Sequence, residues 1–321
     1  MNSMFTEDIV CRREPDVEQH DDPREGRGKR ALITGLHGFT GRYVARELTD
    51  AGYHVYGTVK SSLETGPDIF TADLLDRAAL AAVVEQTRPD VVVHLAGIAF
   101  VAHDDAEQMY RVNVAGTRNL LEALARGAHK PACVLLASSA NIYGNAAVPI
   151  IDESVAPAPA NDYAVSKLAM EYVARLWVAR LPIVIARPFN YTGVGQHENF
   201  LLPKIVSHFR KGARRIELGN LAIARDFSDV RMIAKSYRRL VAAAPAGEVF
   251  NLCSGCSHSL ESVIDTMRDI AGYGIDVHVN PAFVRANEVL TLTGSNAKLA
   301  GVIGTIESPP LVDTLRWMYE A

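Results

Sequence analysis

Tyr163 and Lys167 stand four residues apart, so on a helix the phenol and the ammonium share one face. An unperturbed phenol titrates near ~10, too high for acid–base work at neutral pH. A lysine cation one turn away, together with an oxidised nicotinamide, favours the phenolate. The spacing therefore predicts a tyrosine whose pKa is pulled down and which exchanges a proton with an oxygen. Ser139, within Ser138-Ser139-Ala140-Asn141-Ile142-Tyr143-Gly144, follows an apolar strand, where its hydroxyl can hydrogen-bond a substrate carbonyl or alcohol. It can equally cap the turn that follows. Asn113, in Val112-Asn113-Val114-Ala115-Gly116-Thr117, is expected on a helix, supporting Lys167 through a water or a backbone contact.

A second constellation is Gly35-Leu36-His37-Gly38-Phe39-Thr40-Gly41, which follows a strand and opens a helix. Side chains at the three glycines would block the approach of a pyrophosphate, and a helix N-terminus offers it free N–H groups and partial positive charge. His37 is expected to line the turn. After the second strand the chain runs Gly57-Thr58-Val59-Lys60-Ser61-Ser62, with no carboxylate before Glu64. A ribose carrying a free 2′-hydroxyl calls for Asp or Glu there, whereas a lysine beside hydroxyls suits a 2′-phosphate. The expected cofactor is NADP(H), with Thr58 and Lys60 at its adenosine end. Asp73 and Leu74 are expected near the adenine, and Leu95, Ala96 and Gly97 beneath the cofactor.

These residues need elements to position them. Ala31–Thr34, His54–Val59, Val91–Leu95, Cys133–Ala137 and Ile183–Ala186 are apolar runs of strand length. Helical patterns lie between, at Gly41–Ala51 with Gly52 as its cap, at Ala106–Arg126 and at Tyr163–Ala179. Continuous apolar strands alternating with helices predict a Rossmann-type, doubly wound parallel sheet of the α/β class. Beyond Pro188 the pattern loosens, although Val249–Leu252 reads as a strand returning to the sheet. The expected organisation is a polar extension over 1–28, flexible unless docked, and a cofactor-binding domain over 29–189 and about 226–252. A smaller, discontinuous C-terminal substrate lobe takes about 190–225 and 253–321.

The 321 residues are about half apolar and carry a formal charge of −4, with no basic excess for nucleic acid, no bilayer-length apolar run and no signal peptide. A soluble cytoplasmic protein is expected. Four cysteines in a chain this long do not make a disulfide framework. Cys253, Cys256 and His258 lack a second ligand pair for zinc, so packing is the expected role and no metal site is predicted.

The segments ITGLHGFTG, HLAG, NVAGTRNLLEA, SSANIYG, YAVSK and RPFNYTG, in this order, resemble the extended short-chain dehydrogenase/reductase family over nearly everything after Lys29. The resemblance implies Ser139, Tyr163 and Lys167 as catalytic triad and Gly35, Gly38 and Gly41 as the dinucleotide turn, with Pro188 at the cofactor and Asn190 and Lys204 at the substrate. It also implies a homodimer through a four-helix bundle, for which Val165, Ala169, Tyr172 and Leu176 are candidate contacts. The stretches Leu218-Gly219-Asn220-Leu221, Arg225-Asp226-Phe227-Ser228-Asp229-Val230 and Arg285-Ala286-Asn287-Glu288-Val289 look like the nucleotide-sugar segments of GDP-mannose-processing members. The similarity is greatest to GDP-4-keto-6-deoxy-D-mannose reductases, which form GDP-D-rhamnose, and then to GDP-mannose 4,6-dehydratases. Arg225 and Arg285 could neutralise a diphosphate, and Glu288 could accept from ribose hydroxyls or a guanine edge.

The dehydratases carry a glutamate two residues beyond the catalytic hydroxyl. Asn141 occupies that position here, and an amide cannot be a general base. The resemblance thus implies reduction of a 4-keto GDP-sugar, with Asn141 among the substrate contacts. Either face of C4 remains open, giving rhamnose or its C4 epimer. A 4-epimerase retaining NAD, a dehydratase and a non-catalytic dinucleotide sensor are the rival readings.

Overall fold

The computed structural model describes Asp22 and residues 24–60, 66–101, 105–284 and 289–321. The chain alternates β1 (Arg30–Thr34), α1 (Phe39–Asp50), β2 (His54–Val59), β3 (Ile69–Thr71), α2 (Arg77–Thr87) and β4 (Val91–His94). Then follow α3 (Ala106–Tyr110), a π-helical segment Arg111–Gly116, α4 (Thr117–Arg126), β5 (Cys133–Ala137), a 3₁₀ turn Ala140–Tyr143, α5 (Asp162–Arg175) and β6 (Ile183–Pro188). Beyond these lie β7 (Asn190–Thr192), α6 (Leu201–Arg210), β8 (Arg215–Leu218), β9 (Ala224–Asp229), α7 (Val230–Ala243) and β10 (Val249–Leu252). The chain closes with β11 (Ser257–Ser259), α8 (Leu260–Ala271), β12 (Asp276–Val279), β13 (Thr291–Leu292), α9 (Ala297–Ile303) and α10 (Leu311–Glu320).

The large sheet has seven strands in the order β10-β6-β5-β4-β1-β2-β3, and each of its pairings is parallel. Apolar residues alternate between its two faces. Ala31, Ile33, Val91, Val93 and Leu135 pack with Val44 and Leu48 of α1 and Ile233, Tyr237 and Leu240 of α7. Leu32, Val92, Val134 and Leu136 pack on the other side with Leu80, Leu120, Leu124, Met170 and Ala174 from α2, α4 and α5. With both faces covered, strands must be apolar throughout, as the sequence predicts. The winding reverses between β1 and β4, so the segments that follow them, including Gly35 and Leu95, meet at the crevice where doubly wound sheets bind ligands.

Three boundaries differ from the sequence expectation. Helix α1 begins at Phe39, because Gly38 takes an extended N-cap conformation (φ −63°, ψ 164°). Helix α5 ends at Arg175, and its continuation tightens onto the carbonyl of Trp177, which accepts from Arg180 and Leu181 ahead of Pro182. The expected helix over 106–126 is interrupted by one π-helical stretch that carries Asn113. Such bulges accommodate a residue that an α-helix would rotate away from its target.

The C-terminal elements form a four-stranded sheet built on β9, which pairs with β7, β11 and β13, and a β8–β12 pair. Their own apolar cluster gathers Leu202, Ile205 and Phe209 with Phe227, Val263, Met267 and Leu315. Helix α9 packs instead on the large sheet's side, through Leu299 and Ile303. At the other end, the described tail of the N-terminal extension is docked: Glu25 pairs with buried Arg238 at 2.9 Å, and Gly26 donates to Ala51 O. The rest of that extension lies outside the described residues. No helix among the described residues is long and apolar enough to cross a membrane.

Candidate active site

The glycine turn has distinct parts. Gly35 sits at φ +74°, where L side chains are strained, and a Cβ there would lie 3.0 Å from the Ala96 backbone. A Cβ on Gly41 would lie 2.3 Å from Gly35 O, so this glycine lets strand and helix pack. At Gly38 the only atom a Cβ would meet within 4 Å is Gly35 O, at 3.0 Å. Gly38 is also the N-cap of α1 and brings no side-chain cap to the helix's first amides. Gly38 thus borders a helix N-terminus whose first N–H groups have no side-chain cap, as a phosphate site requires. The neighbouring residues are tied to β7: Thr40 Oγ1 lies 2.7 Å from Tyr191 OH, and the Phe39 ring stacks on Tyr191 at 6.0 Å.

At the end of β2, buried Thr58 accepts from the amides of Gly35 and Leu36 through its carbonyl. The Lys60 side chain is 79% exposed, with its ammonium 3.8 Å from Asp73 Oδ2, so the cation stays accessible. Asp73 Oδ1 accepts from Leu75 N–H, and Leu74 is buried beneath Gly116. Ser61, Ser62 and Glu64 lie outside the described residues.

Tyr163 and Lys167 are both buried on α5, whose N-cap Asn161 accepts from Ala164 N–H. Tyr163 stands next to Ser139, close enough for the serine to favour its phenolate. Ser139 caps the 3₁₀ turn, as one of its two expected roles required: its Oγ accepts from the Asn141 amide and from Asn141 Nδ2, each at 3.1 Å. Lys167 Nζ donates to Ala137 O at 2.9 Å, and a Cβ on Gly97 would lie 3.6 Å from that nitrogen.

Electrostatically the site departs from the sequence expectation. Burial pushes the Tyr163 phenol up to about 12, against the influence of Ser139, with nearby Tyr191 adding to the rise. Burial also pulls Lys167 down to about 8, and Glu171 opposes that fall. At Tyr163 the cost of an unsolvated charge outweighs the opposing effect of Ser139. A phenol held neutral is a proton donor, the form a carbonyl reduction requires.

Asn113 and His94 set the floor of the pocket. Asn113 Oδ1 accepts from Ile98 N–H at 2.8 Å, and its Nδ2 donates to Ile98 O at 3.1 Å and Ser166 Oγ at 3.0 Å. Asn113 thus ties the loop after β4 to Ser166 on the helix that carries Lys167. His94, buried and pulled down to about 3 by burial and then by Lys167's charge, lies between Thr34 Oγ1 at 2.6 Å and Thr117 Oγ1 at 2.9 Å. Thr117 spends its hydrogen on Asn113 O, so it accepts from Nε2–H, and Thr34 donates to Nδ1. Thr34 in turn accepts from Ala96 N–H, so the Leu95–Gly97 segment is fixed by this chain of bonds.

The substrate-side candidates are dispersed. Pro188 closes β6, beside Leu252, and Asn190 opens β7, opposite Phe227. Lys204 donates to Glu217 O at 2.7 Å, and its ammonium lies 4.4 Å above the Phe283 ring. Arg225 donates to Leu290 O at 2.8 Å and to Val289 O, bracing the chain that leaves the Arg285–Glu288 stretch. Arg285 and Glu288 themselves lie outside the described residues. Buried Asp226 accepts from Ser254 Oγ at 2.6 Å and Gly255 N–H at 2.8 Å, tying β9 to the loop after β10. Cys253 in that loop is buried, and burial pushes its thiol up. No group of metal-ligating side chains occurs among the described residues.

The sequence reading missed Tyr191, which bridges glycine turn and β7, and the pair Glu171–Arg187 beneath α5. Glu171 lies one further turn beyond Lys167, a spacing that could have drawn attention to it.

Residues 31–253 match the NAD dependent epimerase/dehydratase family. Two relatives are a GDP-6-deoxy-D-talose 4-dehydrogenase of Aggregatibacter actinomycetemcomitans, 34% identical over 85% of this chain and 90% of its own length, and a GDP-6-deoxy-D-mannose reductase of Pseudomonas aeruginosa, 35% identical over 86% and 91%. Among solved structures, a Burkholderia cenocepacia protein provisionally described as an epimerase is 54% identical, with a TM-score of 0.86 over 92% of this chain and 98% of its own. RMD from Pseudomonas aeruginosa, complexed with NADPH, is 31% identical, with a TM-score of 0.79 over 91% and 98%. The chain belongs to the NAD-dependent epimerase/dehydratase family of extended short-chain dehydrogenases/reductases, whose members are sugar-nucleotide oxidoreductases and epimerases.

Proposed function

We propose that this protein reduces the 4-keto group of a GDP-4-keto-6-deoxyhexose with NADPH, giving GDP-rhamnose or its C4 epimer. The observation that carries the reading is the buried Ser139–Tyr163 pair beside Lys167, with the amide of Asn141 hydrogen-bonded to Ser139 Oγ where a dehydratase would hold its base. The GDP-sugar relatives at 34% and 35% identity support the substrate class. The NADPH in the RMD structure and the exposed Lys60 support NADP(H) over NAD.

The uncapped amides of α1 and the Gly35–Gly41 turn would hold the pyrophosphate, Lys60 the 2′-phosphate, and Tyr163 and Lys167 the nicotinamide ribose. When bound, a reduced nicotinamide supplies the hydride that reaches C4. Tyr163 gives its proton to the C4 oxygen as negative charge develops there. Ser139 hydrogen-bonds the same oxygen, stabilising that charge in a site without bulk water. Lys167 stays cationic at neutral pH and stabilises the phenolate that Tyr163 leaves behind. Asn141 orients Ser139 and removes no proton from the sugar, so elimination of water is not catalysed.

The substrate is assigned to the C-terminal elements, with Asn190, Lys204, Arg225, Arg285 and Glu288 as contacts. The boundaries proposed from the sequence, 29–189 with about 226–252 for the cofactor and the remainder for the substrate, go with this assignment. Val165, Tyr172 and Leu176 are exposed on one face of α5 and Ala169 is half-buried, which supports the family's four-helix bundle as the dimer contact.

The test is loss of NADPH absorbance on adding GDP-4-keto-6-deoxy-mannose, against NADH and a dTDP-4-keto sugar. Rapid oxidation with the GDP-sugar alone is expected. No oxidation with any 4-keto sugar would overturn the reading, and a nucleotide that copurifies as tightly bound NAD would favour a 4-epimerase.

A further inference from the structure

Behind the candidate active site lies a buried polar network with no part in the proton transfer. Glu171, on α5 one turn beyond Lys167, is 1% exposed, and Arg187, on β6, is 4% exposed. Arg187 grips the carboxylate with two parallel bonds, Nε to Oε1 at 2.9 Å and Nη2 to Oε2 at 2.7 Å. Ser138, the residue before Ser139, donates to Oε1 at 2.6 Å. Arg187 Nη1 donates to Tyr143 OH at 2.8 Å, and that hydroxyl donates to Asn251 on β10.

A buried ion pair is a poor means of gaining stability, because desolvating both ions offsets their attraction. Its position suggests a different use. Lys167 is a buried cation that donates to a neutral carbonyl, that of Ala137. A carboxylate four residues along the same helix faces the same side, with Cβ atoms about 5–6 Å apart.

We propose that Glu171, held in place by Arg187 and Ser138, is the counter-charge that keeps the Lys167 ammonium protonated in its buried position. Glu171 is thus a positioning residue that acts on the substrate only through Lys167. This rests on the reading of Lys167 as part of the catalytic set. The bidentate grip fixes where the negative charge lies and stops the carboxylate from swinging into direct contact with the ammonium, which would draw Nζ off Ala137 O and away from the site.

The groups around Lys167 leave Glu171 as the source of the opposing charge. His94 on β4 is held neutral by burial, and Tyr163 and Tyr143 are both pushed up to about 12 by burial. From the π segment, Asn113 is uncharged. Glu107, Arg111 and Arg118 of the helices packed on α5 are exposed, Glu122 is bound by Arg77, Arg118 and Arg126, and Asp162 accepts from Tyr110 OH. The Glu171 charge also opposes the fall that burial imposes on Lys167.

The test follows unfolding midpoints from pH 5.5 to 9.5, a readout independent of turnover (pH range of order a few units either side of the lysine transition). Because Lys167 is pulled down to about 8 by burial, the unfolded chain binds more protons above that pH, and stability attributable to Lys167 rises with pH from about 8 toward its ordinary ~10.4. This rise is read as the difference between wild type and Lys167→Met. In Glu171→Gln its onset is expected about one pH unit lower. The double variant Glu171→Gln/Arg187→Gln removes both charges and avoids a lone buried guanidinium, and is expected to show a smaller displacement in the same direction. Ser138→Ala keeps the carboxylate's charge and should leave the onset in place while lowering the midpoint. An unchanged onset in the two glutamate variants overturns the proposal. If wild type fails to oxidise NADPH with any 4-keto sugar, the functional reading fails while the displaced onset still stands or falls separately.

Discussion

Replacing Gly38 and Gly41 separately by alanine distinguishes a turn that merely packs from one that also cradles a phosphate. At Gly41 the new Cβ would lie 2.3 Å from Gly35 O, 2.5 Å from Leu36 O and 2.9 Å from Leu36 C, all backbone atoms. Nothing flexible can yield, so the turn itself must open. Overpacking of this kind costs about 1–3 kcal/mol, of which the better helix propensity of alanine returns about 0.5–1 kcal/mol. At Gly38 the one close atom is Gly35 O, at 3.0 Å, so a shift of a few tenths of an ångström suffices. The main stability cost there is the poorer N-cap, about 0.5–1 kcal/mol. Gly38 also caps the α1 N-terminus, and a methyl that cost one charge-assisted hydrogen bond to a phosphate there would lose about 1.5–3 kcal/mol, or roughly 10–100-fold in affinity. Urea unfolding and NADPH fluorescence titration measure the two quantities separately. Gly41→Ala should lose stability and binding together, whereas Gly38→Ala should lose far more affinity than its stability change accounts for. A folded Gly38→Ala protein binding NADPH within about threefold of wild type would refute the cradle, since that difference is under ~0.7 kcal/mol.

Three further outcomes are expected. Tyr163→Phe should lower kcat by about 10²–10⁴-fold while NADPH still binds, and retention of more than a tenth of the wild-type rate would remove Tyr163 from the proton-donor role. Lys60→Ala should weaken NADPH binding by about tenfold and leave NADH unaffected, as expected for loss of one charged phosphate contact; equal effects on both nucleotides would contradict a 2′-phosphate role. His94 is pulled down to about 3 by burial, from an ordinary value near ~6.5, so its contribution to stability is complete above the ordinary value and is lost as pH falls toward 3. His94→Asn should therefore show a flatter loss of stability between those limits, and an acid-unfolding curve parallel to wild type would refute the buried neutral imidazole.

Much of the site was legible because it is local. Strand-length apolar runs, a glycine turn between strand and helix, and a tyrosine and lysine at helical spacing are properties of short windows, and β1–α1, β5 and α5 followed them closely. The turn-capping role of Ser139 was visible too, and the structure shows it. Periodicity also sufficed for the double winding, since strands apolar on both faces have nowhere to go except between two helical layers.

What the sequence could not determine depends on partners far along the chain. Thr40 and Tyr191 are 151 positions apart, and Tyr143 and Asn251 are 108 apart; only the order of strands brings them together. Arg225 illustrates the same limit, since its residue type suits a diphosphate, and only the packing of β9 against β13 shows that its guanidinium also lies on the carbonyls of Val289 and Leu290. The sign of the tyrosine shift was beyond sequence reading for a related reason. Spacing supplies the neighbouring cation, but the depth of burial decides whether attraction or desolvation prevails, and depth is a property of the folded chain. Residue types and local spacing thus determined the chemistry on offer, while tertiary packing decided which groups meet, how dry they are and which protonation state each one holds.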